Sequence, residues 1–297
     1  MTKETKNIGL SIKMRLWKIA AENKRDKNDN QMYQLLAIRY IQERLLYRLS
    51  RSRYCDRFCL KGGALLYAYE QFNARPTMDI DFLGNNINRD VEEIRSVFAE
   101  IVSIDIPEDG IKFDAGKITA EEITVNKEYH GVRLTITAQI DTMVQPVSMD
   151  IGFGDVVTPA PQVIDYPTLI EGLPIPTIYA YSLETVIAEK FEAMISLSVD
   201  NSRMKDFFDV YGLLKHHDID MDVLGQAIAA TFATRHTQLV ETPALLTEEF
   251  ANDIRRNNYF QGFLKRIKWK ETLGFKEVCT YIVEQLKPYY ENIYAKK

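Results

Sequence analysis

The sequence predicts an α+β protein: a mixed sheet with helices before it and a helical region after it. Three observations carry this. Residues 8–50 repeat apolar side chains at the 3.6-residue spacing of a helix. From about residue 121 to 153 the spacing changes to the two-residue alternation of strands. Beyond Ser182 the helical spacing returns and runs to the end, with a looser stretch around 234–247. The expected organisation is an N-terminal helical segment (1–50), an α/β core domain (51–180) and a C-terminal helical domain (181–297).

In the first segment Asp29 or Asn30 can cap a helix in which Met32, Leu35, Leu36, Ile38, Ile41, Leu45, Leu46 and Leu49 share one side. Strand character begins near Tyr54, with Phe58 and Leu60 ahead of a Gly-Gly turn. A short helix over Ala64 to Phe72 and a strand over Met78 to Leu83 follow. A further helix is expected with Asn88 as its cap and Val91, Ile94, Phe98 and Ile101 inward. In VRLTITAQID, Val132, Leu134, Ile136, Ala138 and Ile140 point one way, while Arg133, Thr135, Thr137 and Gln139 point the other. VSMDIGF reads as a short return strand. Pro159, Pro161, Pro167, Pro174 and Pro176 mark 159–176 as a connecting segment.

Composition narrows the function classes. The chain of 297 residues is 46% hydrophobic and 27% charged, which suits a globular protein with one or two cores. No apolar run approaches the ~20 residues that cross a bilayer, and the first residues lack the apolar stretch of a signal peptide. Three cysteines without a CxxC spacing argue against a disulfide framework or a cysteine zinc site, so a cytoplasmic setting is expected. The four histidines show no metal-ligand spacing. Net charge is −5, yet basic residues cluster at 13–27 and at 255–270. In the second cluster Arg255, Arg256, Lys265, Arg266, Lys268 and Lys270 alternate with Tyr259, Phe260, Phe263 and Trp269. This is either a solvated helix face or a phosphate-binding patch with stacking aromatics.

The chemistry-bearing stretch is LKGGALLYAYEQFNARPTMDIDFLG, residues 60–84. Alternation in TMDIDF sets Met78, Ile80 and Phe82 on one strand face, and Asp79 and Asp81 on the other. Two carboxylates ~7 Å apart on one face repel unless a cation lies between them. Mg²⁺ takes such hard oxygen ligands and shares its remaining positions with phosphates. In VSMDIGF the same alternation turns Asp150 outward between Met149 and Ile151. If the two strands are neighbours, Asp79, Asp81 and Asp150 converge as a metal-assisted phosphoryl-transfer centre requires. Gly62 and Gly63 can bring backbone N–H groups to a phosphate at a helix start, with Lys61 adding charge. Solvated strand faces and ordinary tight turns also produce these residues singly.

Together these motifs resemble the nucleotidyltransferase superfamily with the polymerase-β-like fold. KGGALL followed by Arg75, Thr77 and Asp79 to Phe82 resembles, more narrowly, the AbiEii family of nucleotidyltransferase toxins, partners in type IV toxin–antitoxin and abortive-infection systems. The likeness covers residues ~58 to 215. It implies a Mg²⁺-dependent transfer from an NTP, nucleotide contacts from Lys61, Gly62, Gly63 and Thr77, and metal ligation by Asp79, Asp81 and Asp150. Related toxins modify the tRNA 3′ end, and a winged-helix antitoxin encoded nearby is the implied counterpart.

SLETVIAEKFEAMISLSVDNSRMKDFFDVYGLL extends the likeness. Ser182 can cap a helix burying Val186, Ile187, Phe191 and Met194, with Lys190 beside that face. Arg203, Lys205, Asp206 and Asp209 recur at three- and four-residue spacing, so they can meet on one helix side; a plain Lys205–Asp209 ion pair would need nothing more. The resemblance gives Lys190 the triphosphate, and gives Asp206 a role near the transferred phosphoryl group as a base or in ordering basic side chains. By the same carry-over Arg203 and Lys205 supply positive charge and Asp209 buttresses. Two other readings remain: transfer to a small molecule or protein, and a catalytically dormant nucleotide- or RNA-binding regulator.

Overall fold

An eight-stranded mixed sheet organises the first of two units, which comprises Met1–Gly154 and Gln162–Ala180. The computed structural model describes residues 7–23, 31–124, 130–155 and 157–297, so the caps expected at Asp29 or Asn30 lie outside the described residues. In chain order this unit contains α1 (Ile8–Glu22), α2 (Met32–Arg51), β1 (Phe58–Lys61), α3 (Gly62–Glu70), β2 (Ile80–Gly84) and α4 (Val91–Val102). It continues with β3 (Ile111–Phe113), β4 (Thr119–Thr124), β5 (His130–Ile140), β6 (Met143–Phe153), β7 (Gln162–Asp165) and β8 (Thr177–Ala180). The strand order is β3-β5-β6-β2-β1-β8-β7, with β4 also pairing β5. The β2–β6 and β1–β8 pairs are parallel and the others antiparallel.

Register sorts the two faces. Leu60, Phe82, Ile151 and Val132 are partners across β1, β2, β6 and β5, and all four are buried. Phe98 of α4 closes on this layer, with its ring 5.0 Å from Phe58 and 6.4 Å from Phe82. Ile94, Val97, Phe98 and Ile101 form the inner stripe of α4. Its N-cap is Asp90, whose carboxylate accepts from the Glu93 N–H, and not Asn88 as expected. Asn88 instead accepts from the Asp90 N–H and donates to Glu93, bracing the cap from outside.

The expected apolar side of α2 is buried, but so are Arg39, Gln42, Glu43, Arg44 and Arg48 on its remaining surface. Burial of such groups is tolerable only with partners. Arg48 pairs with Asp109, Glu43 accepts from the Leu169 N–H, and Arg44 donates to the Pro174 carbonyl. The Arg39 guanidinium lies 4.2 Å from the centre of the Tyr67 ring. Gln42 donates to the Met78 carbonyl at 2.9 Å, which ties α2 to the approach to β2.

The strand expected from Met78 begins only at Ile80, so Asp79 precedes the ladder, and Met78 is 47% exposed instead of joining the buried row. The return strand starts earlier than expected, at Met143, because a tight turn after Ile140 pairs β6 along the whole of β5. The proline-marked stretch contains a strand: β7 pairs antiparallel with β8. Its prolines flank β7, which occupies the sheet edge, where a missing N–H costs least.

The second unit comprises Asp155–Pro161 and Tyr181–Lys297. It is built from α5 (Leu183–Leu197), α6 (Met204–His216), α7 (Met221–Thr234), α8 (Glu248–Ala251), α9 (Ile254–Arg266) and α10 (Phe275–Tyr294). Phe207, Phe250, Phe260 and Phe275 pack in tilted and edge-to-face pairs with ring separations from 5.1 to 6.2 Å. The basic–aromatic run is therefore not a single surface. The helical period of α9 turns Phe260 and Phe263 into the core, and Arg256 is buried over Phe250 while donating to the Asn201 and Val199 carbonyls. Arg255, Tyr259, Lys265, Arg266 and Lys270 do face outward. Among the described residues no helix is long and apolar enough to cross a membrane.

Candidate active site

A row of charged residues crosses the open face of the sheet. Lys61 of β1 is the register partner of Asp81 on β2. Asp81 is the partner of Asp150 on β6, Asp150 of Arg133 on β5, and Arg133 of Glu121 on β4. Paired residues on adjacent strands share a face and stand ~5 Å apart. The expectation that the Asp81 and Asp150 strands are neighbours is met, because β2 and β6 are parallel and in register at these two residues.

Beside this row the chain turns from β1 into α3. Gly62 has φ of 69°, a left-handed conformation that a side chain disfavours. A Cβ there would stand 1.9 Å from Asp81 Oδ2, so the Asp81 carboxylate lies directly against the turn. A Cβ at Gly63 would stand 2.8 Å from Thr77 Oγ1 and 3.3 Å from an Arg75 guanidinium nitrogen. Thus the segment 75–77 packs over the first turn of α3. Lys61 is the N-cap, and its ammonium, a donor only, accepts nothing from the first N–H groups of the helix. Such groups, with the helix dipole behind them, suit an anion. The Tyr166 hydroxyl donates to the Ala64 carbonyl and anchors the same turn from below.

In the sequence Arg133 is only an outward residue of its strand. It forks Asp150, with Nε to Oδ1 and Nη2 to Oδ2, both at 2.7 Å. The hydrogen bond and charge of Asp150 push the guanidinium above its ordinary basicity, and Asp79 and Glu121 add to the effect. Asp79 is exposed, two residues ahead of Asp81. Among the described residues no three carboxylate, imidazole or thiolate groups stand ready as a metal cage. Asp81 and Asp150 nevertheless place hard oxygen donors side by side, as a divalent cation of the Mg²⁺ type requires, and Asp79 lies on the same segment as Asp81. These donors are hard oxygens, the chemistry that such an ion takes.

The second unit holds its own charged cluster. Ser182 caps α5 as expected, accepting from the Thr185 N–H. Lys190 of α5 donates to Asp206 at 2.6 Å and to Asp209 at 2.8 Å, both on α6. Arg203 approaches the other oxygen of Asp206 at 2.8 Å. Burial works to raise the Asp206 carboxyl, but the charges of Lys190 and Arg203 outweigh it and hold the group below its ordinary value. Asp209 is thus a partner of Lys190, a contact that the spacing within α6 alone did not reveal.

Comparison with known proteins gives three results. A family model described as nucleotidyl transferase AbiEii toxin, Type IV TA system, matches residues 44–283. No curated protein matches significantly. Among solved structures, JHP933 from Helicobacter pylori is 14% identical, with 89% of this chain and 94% of that one covered at a TM-score of 0.46. A candidate nucleotidyltransferase from H. pylori is 15% identical, with 89% and 98% covered at a TM-score of 0.47. By the family match, which spans most of both units, the chain belongs to the AbiEii family of nucleotidyltransferase toxins of type IV toxin–antitoxin systems.

Proposed function

We propose that the chain transfers a nucleoside monophosphate from an NTP to an acceptor hydroxyl, releasing pyrophosphate, and that the acceptor is a tRNA 3′ end. The observation that carries this reading is the in-register pair Asp81 and Asp150 beside the Lys61-Gly62-Gly63 turn. Asp79, Asp81 and Asp150 would hold Mg²⁺, which when bound neutralises phosphate charge and steadies the attacking and leaving oxygens. Lys61 and the N–H groups that open α3 hold phosphate oxygens, and Thr77 shapes the same turn. Such chemistry needs positioning and charge more than covalent help from the protein.

Lys190, Arg203 and Lys205 are assigned to the triphosphate on the family resemblance. Asp206 is doubly engaged and held acidic, so it suits ordering Lys190 and Arg203 better than accepting a proton. On the family resemblance Asp150 takes the acceptor proton, which requires the Arg133 fork to open first, and Asp209 buttresses Lys190. The outward residues Arg255, Tyr259, Lys265, Arg266 and Lys270 offer charge for an RNA backbone. A winged-helix antitoxin and a cytoplasmic setting complete the proposal.

The test is a panel of four α-labelled nucleotides with total tRNA, with protein alone and without acceptor. A labelled RNA band is expected. Label appearing only on protein or on a small molecule would remove the tRNA assignment.

A further inference from the structure

Arg133 and Asp150 are register partners on β5 and β6, and the guanidinium engages both carboxylate oxygens at 2.7 Å. This is the carboxylate whose other neighbour is Asp81. Without Arg133, two like charges would stand ~5 Å apart on adjacent strands and repel. The planar fork matches a carboxylate in a way that a lysine ammonium, a single point charge, does not. Glu121 follows Arg133 across the sheet, and Asp79 adds its field, so Arg133 stands between Asp150 and further negative charge. Its side chain is 44% exposed, so it can leave Asp150 without crossing packed core.

A divalent cation at Asp150 would need the oxygens that the guanidinium holds. Resting on the metal reading above, we propose that Arg133 is the built-in competitor of the cation at Asp150, and that the two exchange on the same carboxylate. No proton moves in this exchange; one positive partner replaces another. The displaced guanidinium remains tethered on β5, on the side of the row away from Lys61. Arg133 thus keeps Asp150 from taking a cation strongly by itself. It is a positioning residue that acts through Asp150.

Mn²⁺ titration of the nucleotide-free protein by calorimetry tests this without relying on turnover. Arg133→Met is expected to bind Mn²⁺ on the order of tenfold more tightly, the worth of one charge-assisted fork at a partly exposed site. Arg133→Lys keeps the charge and loses the fork, and it should show most of the same gain. Asp150→Asn combined with either change should abolish the gain. An unchanged or weaker affinity in Arg133→Met would overturn the proposal. So would an Arg133→Lys protein that binds like the wild type, since charge at a distance would then explain the effect. Should Arg133→Met fail to fold, Arg133→Lys carries the test alone. Failure of the metal reading looks different: the wild type would transfer label with all divalent cations chelated. Cation-dependent transfer together with unaltered Mn²⁺ binding in the variants would sink only the exchange at Arg133.

Discussion

The Asp81 carboxylate rests against the backbone of Gly62 so closely that a Cβ at Gly62 would stand 1.9 Å from Asp81 Oδ2. The contact joins the turn proposed to receive phosphate to one of the carboxylates proposed to receive the metal. Because Gly62 also has φ of 69°, its replacement carries two penalties, backbone strain and a clash with a charged group.

Gly62→Ala is therefore expected to destabilise the protein by about 1–3 kcal/mol and to reduce transfer far more than that loss of folded protein explains. Urea unfolding and initial-rate measurements on the same preparation check this. A variant with wild-type rate would show that Asp81 can move without consequence.

Lys190 sits between two buried carboxylates on the neighbouring helix. Lys190→Met leaves Asp206 and Asp209 without their shared cation and is expected to cost roughly 3–5 kcal/mol. The unfolding midpoint should fall, and transfer should fail even at temperatures where the variant is folded. Comparing midpoint and activity separates the structural from the proposed catalytic share of this lysine.

The acid limb of stability has a defined sign at Asp206. Its folded-state value lies below the ordinary 3.8, so the unfolded chain binds a proton there first as acid is added. The stabilisation is complete above about pH 4 and is lost as pH falls through the lower folded-state value. Urea unfolding at stepped pH should show this loss, and Asp206→Asn should flatten that limb.

At α4 the two Asx residues separate cleanly. Asp90→Ala should cost about 1 kcal/mol, the usual worth of an N-cap. Asn88→Ala should cost less, because Asn88 only braces the cap. Thermal melts of the two variants give the comparison.

These particulars also show what the sequence could and could not disclose. Alternation in DIDF and SMDIG was enough to turn Asp81 and Asp150 outward, since a strand leaves no other choice once Ile80, Phe82, Met149 and Ile151 go inward. That the two strands pair in parallel is a matter of long-range register, which local pattern does not encode. Arg133 escaped notice for the same reason: among Thr135, Thr137 and Gln139 it looks like solvated surface until Asp150 is placed opposite. Alternation that persists through Met78 assigns Asp79 to the strand. The Gln42 contact to Met78 and the packing of Thr77 on Gly63 hold that segment outside the ladder. The basic–aromatic run in α9 was read by composition; its helical period divides it between core and surface. The Asp90 cap does have a sequence signature, an Asp just before Val91 with Glu93 three residues on, whereas the Lys190–Asp209 contact depends on a second helix and leaves no trace in spacing.

Asp81 and Asp150 are proposed to act together on the transferred nucleotide. The most direct measurement is incorporation of label from α-labelled NTP into tRNA by the wild type, Asp81→Asn and Asp150→Asn, each first shown to be folded by circular dichroism. Mg²⁺-dependent labelling by the wild type is expected, with a loss of about three orders of magnitude or more in both variants, in keeping with removal of a principal electrostatic contribution to the transition state. Folded Asp81→Asn or Asp150→Asn protein that labels tRNA at the wild-type rate would contradict this joint role.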